Sequence, residues 1–320
     1  VTKGLNAVQT AAAIRSAFNS LKNPVVIPLD ASHADQSYGM DCRTYVRSWY
    51  QKIFGSDPDL MYLESLRMSV QRMYGNTREG RIVMQGLFGM SSGDGDTSLA
   101  MCIVICTMAE GLLSGLNVDF RLIDNGDDHL MFVEREDMEK VHSQVEAWYA
   151  RFGFKVVPGE PIYELAKIEF CQSFVIYDGT EYTMVRDLRK SISKDLLSLK
   201  KIDCIDDFDY YRLAKAECGL SLAGNLPILQ SFYNMLGRGA RRVSKKEYVE
   251  VSGMQFMAKG LDKKGDVTME SRVSFFETFD ITPDEQRAIE TFYDSITPRY
   301  QEITSVEEFT YPIHIPIIIK

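Results

Sequence analysis

The sequence predicts an α+β fold, an antiparallel sheet with helices, followed by a mainly helical C-terminal part. Three observations lead there. The apolar run Val25-Val26-Ile27-Pro28-Leu29-Asp30 ends on an acid and suits a buried strand that emerges at a sheet edge. Two strand-like runs, 119–123 and 129–133, flank Asp124-Asn125-Gly126-Asp127-Asp128, and Asn-Gly between such runs is the strongest short-range hairpin signal. Beyond about residue 190 the pattern becomes mostly helical.

The remaining elements come in chain order. Pro28 cannot donate to a ladder, which argues for an edge or irregular position in the first strand. Residues 41–54 and 60–73 read as helices, and Gly75-Asn76 and Glu79-Gly80 punctuate a turn-rich stretch. A glycine-rich loop, 89–96, leads into a helix that begins near Thr97. Its apolar stretch, 99–108, precedes Glu110, is too short to span a bilayer and reads as buried. Residues 137–152 have helical periodicity and stop at Gly153, and 155–157 form a short strand. The runs 168–177 and 182–186 flank Asp178-Gly179, a second hairpin signal. An apolar tail containing prolines, 311–320, closes the chain.

The 320 residues are enough for one large core or two modest ones. A net charge of −9 argues against a protein that coats nucleic acid with its whole surface, yet leaves room for a local basic channel. Residues 186–201 carry six basic side chains against two acids, and Arg238, Arg241, Arg242, Lys245 and Lys246 form a second cluster. Either group suits phosphate contacts, and the second equally suits a solvated helix face. The six cysteines are scattered without CxxC pairs; zinc at Cys102 and Cys106 would need two further ligands. Buried reduced thiols in a cytosolic compartment are the expectation. The mixed opening Val1-Thr2-Lys3-Gly4 does not read as a signal peptide.

The acids carry the chemistry. Asp30 at a strand end and Asp127-Asp128 at a hairpin tip become neighbours if their strands share a sheet. Carboxylates on rigid elements, together with substrate phosphates, are how magnesium is held, because it prefers oxygen ligands. Two such ions about 4 Å apart activate an attacking oxygen and stabilise a leaving pyrophosphate. Singly, each residue has a plainer reading: a strand-end acid for Asp30, a solvated turn for Gly-Asp-Asp and a helix N-cap for Asp35. A loop and helix cap would account for Ser92, Gly93 and Thr97. Their conjunction in one order along the chain favours the joint reading.

The sequence resembles the RNA-dependent RNA polymerases of positive-strand RNA viruses, most closely the tombusvirus and carmovirus group. The likeness runs from Lys3-Gly4-Leu5-Asn6 to about Asp195. Leu29-Asp30-Ala31-Ser32-His33-Ala34-Asp35-Gln36 resembles the family's motif A, and Ser92-Gly93-Asp94-Gly95-Asp96-Thr97 its motif B. Asn125-Gly126-Asp127-Asp128 resembles motif C and Ile168-Glu169-Phe170-Cys171-Gln172 motif E. Met184-Val185-Arg186 and Ser191-Ile192-Ser193-Lys194-Asp195 resemble the family's segment immediately C-terminal to motif E.

The resemblance implies a right-hand palm over 1–190 with a partial fingers insertion at about 41–90, and a thumb over 191–320. It implies RNA-templated synthesis from NTPs with two Mg2+ ions, Mn2+ being a possible substitute. Asp30 and Asp127 would be the principal metal ligands, supported by Asp128. Asp35 would face the ribose, helped by Ser92 and Thr97, with Gly93 lending the loop freedom and Asn125 beside the substrate. Lys155, by analogy with a motif D lysine, would protonate pyrophosphate; an exposed strand lysine is the plainer account. Arg186, Arg189, Lys190, Lys194, Arg238, Arg241 and Arg242 would meet the template and nascent strand. Further partners would be upstream fingers of the same replicase and viral or host replication proteins, in host cytoplasm at membrane-associated replication complexes. The sequence itself shows no membrane segment. A reverse transcriptase or other palm-domain nucleotidyl enzyme, and a non-catalytic palm-like RNA-binding module, are the alternatives.

Two departures matter. The family carries a basic motif F before motif A, but only Lys3, Arg15 and Lys22 supply positive charge ahead of Asp30. The chain therefore reads as a catalytic fragment, expected to be weakly active or inactive alone. Four residues after Thr97, where the family has asparagine, stands Met101, which offers no amide hydrogen bond to Asp35 or a 2′-hydroxyl. Selection of NTP over dNTP should be looser than in an asparagine-bearing relative. Single-turnover incorporation measures this, and equal or tighter selection would overturn it.

Overall fold

The computed structural model describes residues 1–76, 78–86, 90, 93–198, 202–242, 258 and 260–300. The chain divides into two compact units, Val1–Gly4 with Ile14–Leu165, and Leu5–Ala13 with Ala166–Lys320. Helix α1, Ala7–Asn19, contributes to both; Asn6 and Gln9 cap its start by exchanging backbone-to-side-chain hydrogen bonds of 2.9 and 3.0 Å.

The first unit is built on a four-stranded antiparallel sheet. Its strands are β1 (Pro24–Ser32), β4 (Phe120–Asp124), β5 (Asp128–Glu134) and β6 (Lys155–Pro158), in the order β4-β5-β1-β6. The strand carrying Asp30 is thus central, and of the edge or irregular position that Pro28 suggests the structure shows the irregular one. The reason is local. Pro28 pairs with Leu130 on β5, while on its other side β6 leaves the sheet at Pro158 and the Gly159 amide donates to the Pro28 carbonyl (2.8 Å). The missing Pro28 N–H falls where the neighbouring chain turns away. A Cβ on Gly159 would come within 2.9 Å of the Pro28 ring, so the close approach requires glycine.

Helix α2 (Ala34–Ser37) follows β1 directly, then α3 (Met40–Phe54) and α4 (Pro58–Arg67). Asp57 caps α4 by accepting from the Leu60 amide (2.9 Å), with Pro58 at the first helical position. The helix expected over 60–73 ends at Arg67. Residues 71–73 instead enter β2 (Gln71–Asn76), which pairs in register with β3 (Arg81–Gly86) as an exposed two-stranded ribbon. Ladder pairing outweighs helical pattern there, and the glycines and Asn76 lie at its turn end.

Helix α5 (Thr97–Gly115) is long and apolar enough, by composition, to cross a membrane. In this fold it is a core helix: Ala100, Val104, Ile105, Ala109 and Leu113 pack in the main hydrophobic cluster with Ile27, Leu29, Met131 and Val133 of the sheet. Helix α6 (Met138–Ala150) adds Val141, Val145 and Tyr149 to that cluster.

The second unit has its own core. Strands β7 (Glu169–Phe170), β8 (Ser173–Tyr177) and β9 (Tyr182–Arg186) form a three-stranded antiparallel sheet. Helices α7 (Leu188–Asp195), α8 (Ile205–Ala223), α9 (Leu229–Gly237), α10 (Met269–Phe279) and α11 (Pro283–Ser295) come next. Ile176 and Val185 of the sheet share one cluster with Leu188, Phe232, Phe275 and Tyr293 of the helices. Residue 190, near which the sequence pattern turns helical, lies on α7 within this unit. The apolar tail, 311–320, lies outside the described residues.

The β8–β9 turn is fastened by charge. Burial alone would raise the Asp178 carboxyl, but Lys263 at 2.6 Å, the Thr180 hydroxyl and the Thr180 and Glu181 amides bring it down to about 2. A carboxyl held below its ordinary value of 3.8 contributes stability above that value and loses it as pH falls towards about 2. Urea midpoints followed across this range should fall in the wild type, and Lys263→Met should lower the midpoint at neutral pH while flattening the acid limb.

Candidate active site

The antiparallel register sets Asp30 directly opposite Asp128 on β5 and opposite Val157 on β6. Residues facing one another across an antiparallel pair project to the same side of the sheet, and so do residues two apart along a strand. Asp30, Asp128, Val157 and Lys155 therefore share one face. Lys155 pairs with Ser32 and lies roughly 7 Å along β6 from the position opposite Asp30. Leu29 and His129 point to the other side and are buried, whereas Asp30, Val157 and Lys155 are exposed and Asp128 half-buried.

Asp127 is exposed in the turn itself, and its carbonyl accepts from the Ala31 amide (3.3 Å). The turn is closed by the Asn125 amide donating to the Asp128 carbonyl (2.9 Å), with Gly126 at φ +99°, a conformation few side chains tolerate. Asn125 is half-buried within this loop. The hairpin expected from Asn-Gly is present, and the two acids sit at its end.

Among the described residues no group of three or more His, Cys, Asp or Glu side chains is gathered to hold a metal. Asp30, Asp127 and Asp128 form an open acidic edge rather than a closed cage. Magnesium takes one or two carboxylates and completes its shell with water and substrate oxygens, so this set of hard, accessible oxygens fits it.

Two neighbouring features set the surroundings. Asp35 is half-buried on α2, where its carboxylate accepts from the Gln36 amide (2.9 Å); α2 packs against α5. Thr97, half-buried, opens α5, and Gly93 is exposed at φ +93° in the loop before it. Ser92 lies outside the described residues. Met101 is 5% exposed, and its Cγ lies 3.8 Å from where a Cβ on Gly126 would stand. The position of the family's asparagine is thus an apolar floor beneath the acidic turn.

Several contributing residues are not evident from sequence. Asp96 anchors the loop before α5 through an ion pair with Arg67 and a hydrogen bond from the Tyr50 hydroxyl (3.2 Å). Its signal was an acid directly before a helix. His129 is buried behind the turn, with Nδ1 3.3 Å from the Asp127 carbonyl and Nε2 3.0 Å from the Tyr149 hydroxyl. A carbonyl only accepts, so Nδ1 carries the proton and Nε2 accepts from Tyr149. Burial lowers the imidazole to about 4 and raises the phenol. A histidine inside an apolar strand was the only hint.

The basic residues of the second unit divide by their partners. Arg186 reaches the buried Asp195 (3.5 Å), which also holds Lys215 (3.6 Å) and the Tyr233 hydroxyl (2.8 Å). Lys190 pairs with Glu169 (3.3 Å), while Arg189 and Lys194 are exposed on α7. Arg238 donates to the carbonyls of Tyr293, Asp294 and Ile296, capping α11. Arg241 is held by Asp206 (2.7 Å) and Asp209 (2.9 Å), and the exposed Arg242 meets Glu217 at 3.5 Å. Lys245 and Lys246 lie outside the described residues.

A family model described as viral RNA dependent RNA polymerase matches residues 1–301. The chain belongs to this polymerase family. It is 34% identical over 299 residues to an RNA-directed RNA polymerase of Tobacco necrosis virus (strain A), covering 92% of this chain and 41% of that protein. The RNA-directed RNA polymerases of Maize chlorotic mottle virus and Turnip crinkle virus are each 33% identical, over 95% and 92% of this chain and 32% and 38% of theirs. This member of the polymerase family thus spans less than half the length of those relatives.

Proposed function

We propose that the chain is the catalytic portion of a viral replicase, synthesising RNA on an RNA template from NTPs. Family membership supports the reaction class, and the observation that carries the site is the Asp30–Asp128 register beside the Asp127 turn. In this reading residues 1–190 form the palm with a fingers insertion at about 41–90, and residues 191–320 form the thumb.

Asp30 and Asp127, with Asp128, are the residues that would hold two divalent ions, Mg2+ or Mn2+. Bound there, such ions supply charge neutralisation at the attacking 3′-oxygen and the leaving pyrophosphate. Lys155, exposed on the same face as Asp30, has a proton to give to pyrophosphate. Asp35 accepts from the ribose hydroxyl, with Ser92 and Thr97 as the remaining polar groups, Gly93 allowing the loop to follow the substrate and Asn125 lying beside it. Arg189 and Lys194 are the basic residues readiest to meet RNA phosphates. Arg186, Lys190, Arg238, Arg241 and Arg242 would have to exchange carboxylates or carbonyls for phosphate, so their contribution is smaller. Upstream fingers of the same replicase and other viral or host replication proteins complete the assembly, at membrane-associated complexes in host cytoplasm.

Primer extension with NTPs and dNTPs on RNA and DNA templates tests this, comparing the 320-residue chain with a protein extended to the relatives' length. RNA-templated NTP incorporation by the extended protein is expected, with Asp127→Ala slowing it roughly 100-fold or more. Preference for dNTPs would favour a reverse transcriptase, and an unaffected Asp127→Ala protein would end the proposal.

A further inference from the structure

A third acid lies under the turn. Asp124 is the last residue of β4 and is fully buried, 0% exposed. It pairs with His129 in the β4–β5 register, so it stands at the base of the loop carrying Asp127 and Asp128. Its Oδ2 accepts from the Gly126 amide (3.3 Å), an Asx turn within the hairpin. Its own carbonyl accepts from the Thr2 amide (2.8 Å) and the Thr2 hydroxyl (3.2 Å). From the third side α5 brings up the thiols of Cys102 and Cys106, weak donors beside the carboxyl. Three separate pieces of the first unit meet on this one residue.

Burying a carboxyl with incomplete hydrogen bonding is costly, and Oδ1 receives no hydrogen bond of normal geometry. An apolar residue would fill the same space at lower cost. What the carboxyl does and a hydrocarbon cannot do is bind the Gly126 amide, and Gly126 is the residue whose positive φ turns the chain towards Asp127. We infer that Asp124 is a positioning residue, holding the Asn125–Asp128 loop in the conformation that presents Asp127 and Asp128 for ion binding. This rests on the metal-dependent function proposed for the site.

The electrostatics agree with a holding role. Burial pushes the Asp124 carboxyl above its usual range, opposed by the neighbouring thiols and the Gly126 amide. The thiols are themselves pushed up to about 12, first by burial and then by Asp124, so they stay protonated and able to donate.

The experiment compares Asp124→Asn, which keeps a carbonyl oxygen for the Gly126 amide, with Asp124→Leu, which keeps the volume but offers no acceptor. Hydrogen exchange of the 125–128 amides, melting temperature and Mn2+ affinity by electron paramagnetic resonance are read on the whole chain. In Asp124→Leu, exchange in the turn should quicken about tenfold, the worth of one hydrogen bond, and Mn2+ affinity should fall by a similar factor while the melting temperature holds or rises. Asp124→Asn should remain within about twofold of wild type in both, because the acceptor is kept. Should the leucine variant fail to fold, Asp124→Ala carries the same readouts without overfilling the site. Wild-type exchange and affinity in the apolar variant, or an asparagine variant as impaired as the apolar one, would overturn the inference. A wild type that binds no Mn2+ ends the metal reading alone, and the exchange measurement still decides whether Asp124 holds the turn.

Discussion

Backbone pairing of β1 with β5 runs without a break from Pro24–Glu134 to Asp30–Asp128, and the rest of the first unit depends on that register. Side chains alternate at every residue of a strand, so a slip by one would turn Leu29 and Ile27 out of the core and Asp30 into it. Ile27, Leu29, Met131 and Val133 pack with α5 and α6 on one side of these strands, and Val26, Leu130 and Phe132 are buried on the side that ends in the acids. Apolar packing on both faces thereby fixes the register, and the acids stand where the strands emerge from it. No direct interaction among the acids is needed to bring them together, which matters because like charges repel.

The acidic turn rests on several groups that stay uncharged, with the Lys3 ammonium beside Gly126, 3.9 Å from where a Cβ there would stand. His129 is neutral through burial and spans the Asp127 carbonyl and Tyr149 hydroxyl, while Cys102 and Cys106 remain thiols beside Asp124. Met101 adds an apolar floor under Gly126.

In the second unit the positive residues serve the fold as much as any ligand. Arg238 satisfies three carbonyls at the end of α11, Arg241 bridges two aspartates, and Arg186 and Lys215 neutralise the buried Asp195. A run of basic residues looks the same in sequence whether its side chains face phosphate or close helix ends. Only Arg189 and Lys194 on α7 remain exposed among the basic residues of that helix.

Local sequence determined much of the site. Asn125-Gly126 marked the hairpin, where Gly126 alone takes the positive φ of the turn, and the apolar run ending at Asp30 specified a strand because burial leaves little else. The order of those motifs was enough to suggest the family, and the helix from Thr97 was legible in its long apolar face. Tertiary structure decided what depends on partners remote in sequence. It made β1 central despite Pro28, since the absent amide faces the point where β6 turns away at Gly159. It ended α4 at Arg67, since the ladder with β3 claimed residues 71–76. It also gave Asp124, His129 and Asp96 their roles, because a buried carboxylate and a solvated one are the same letter until the surrounding chain folds over it.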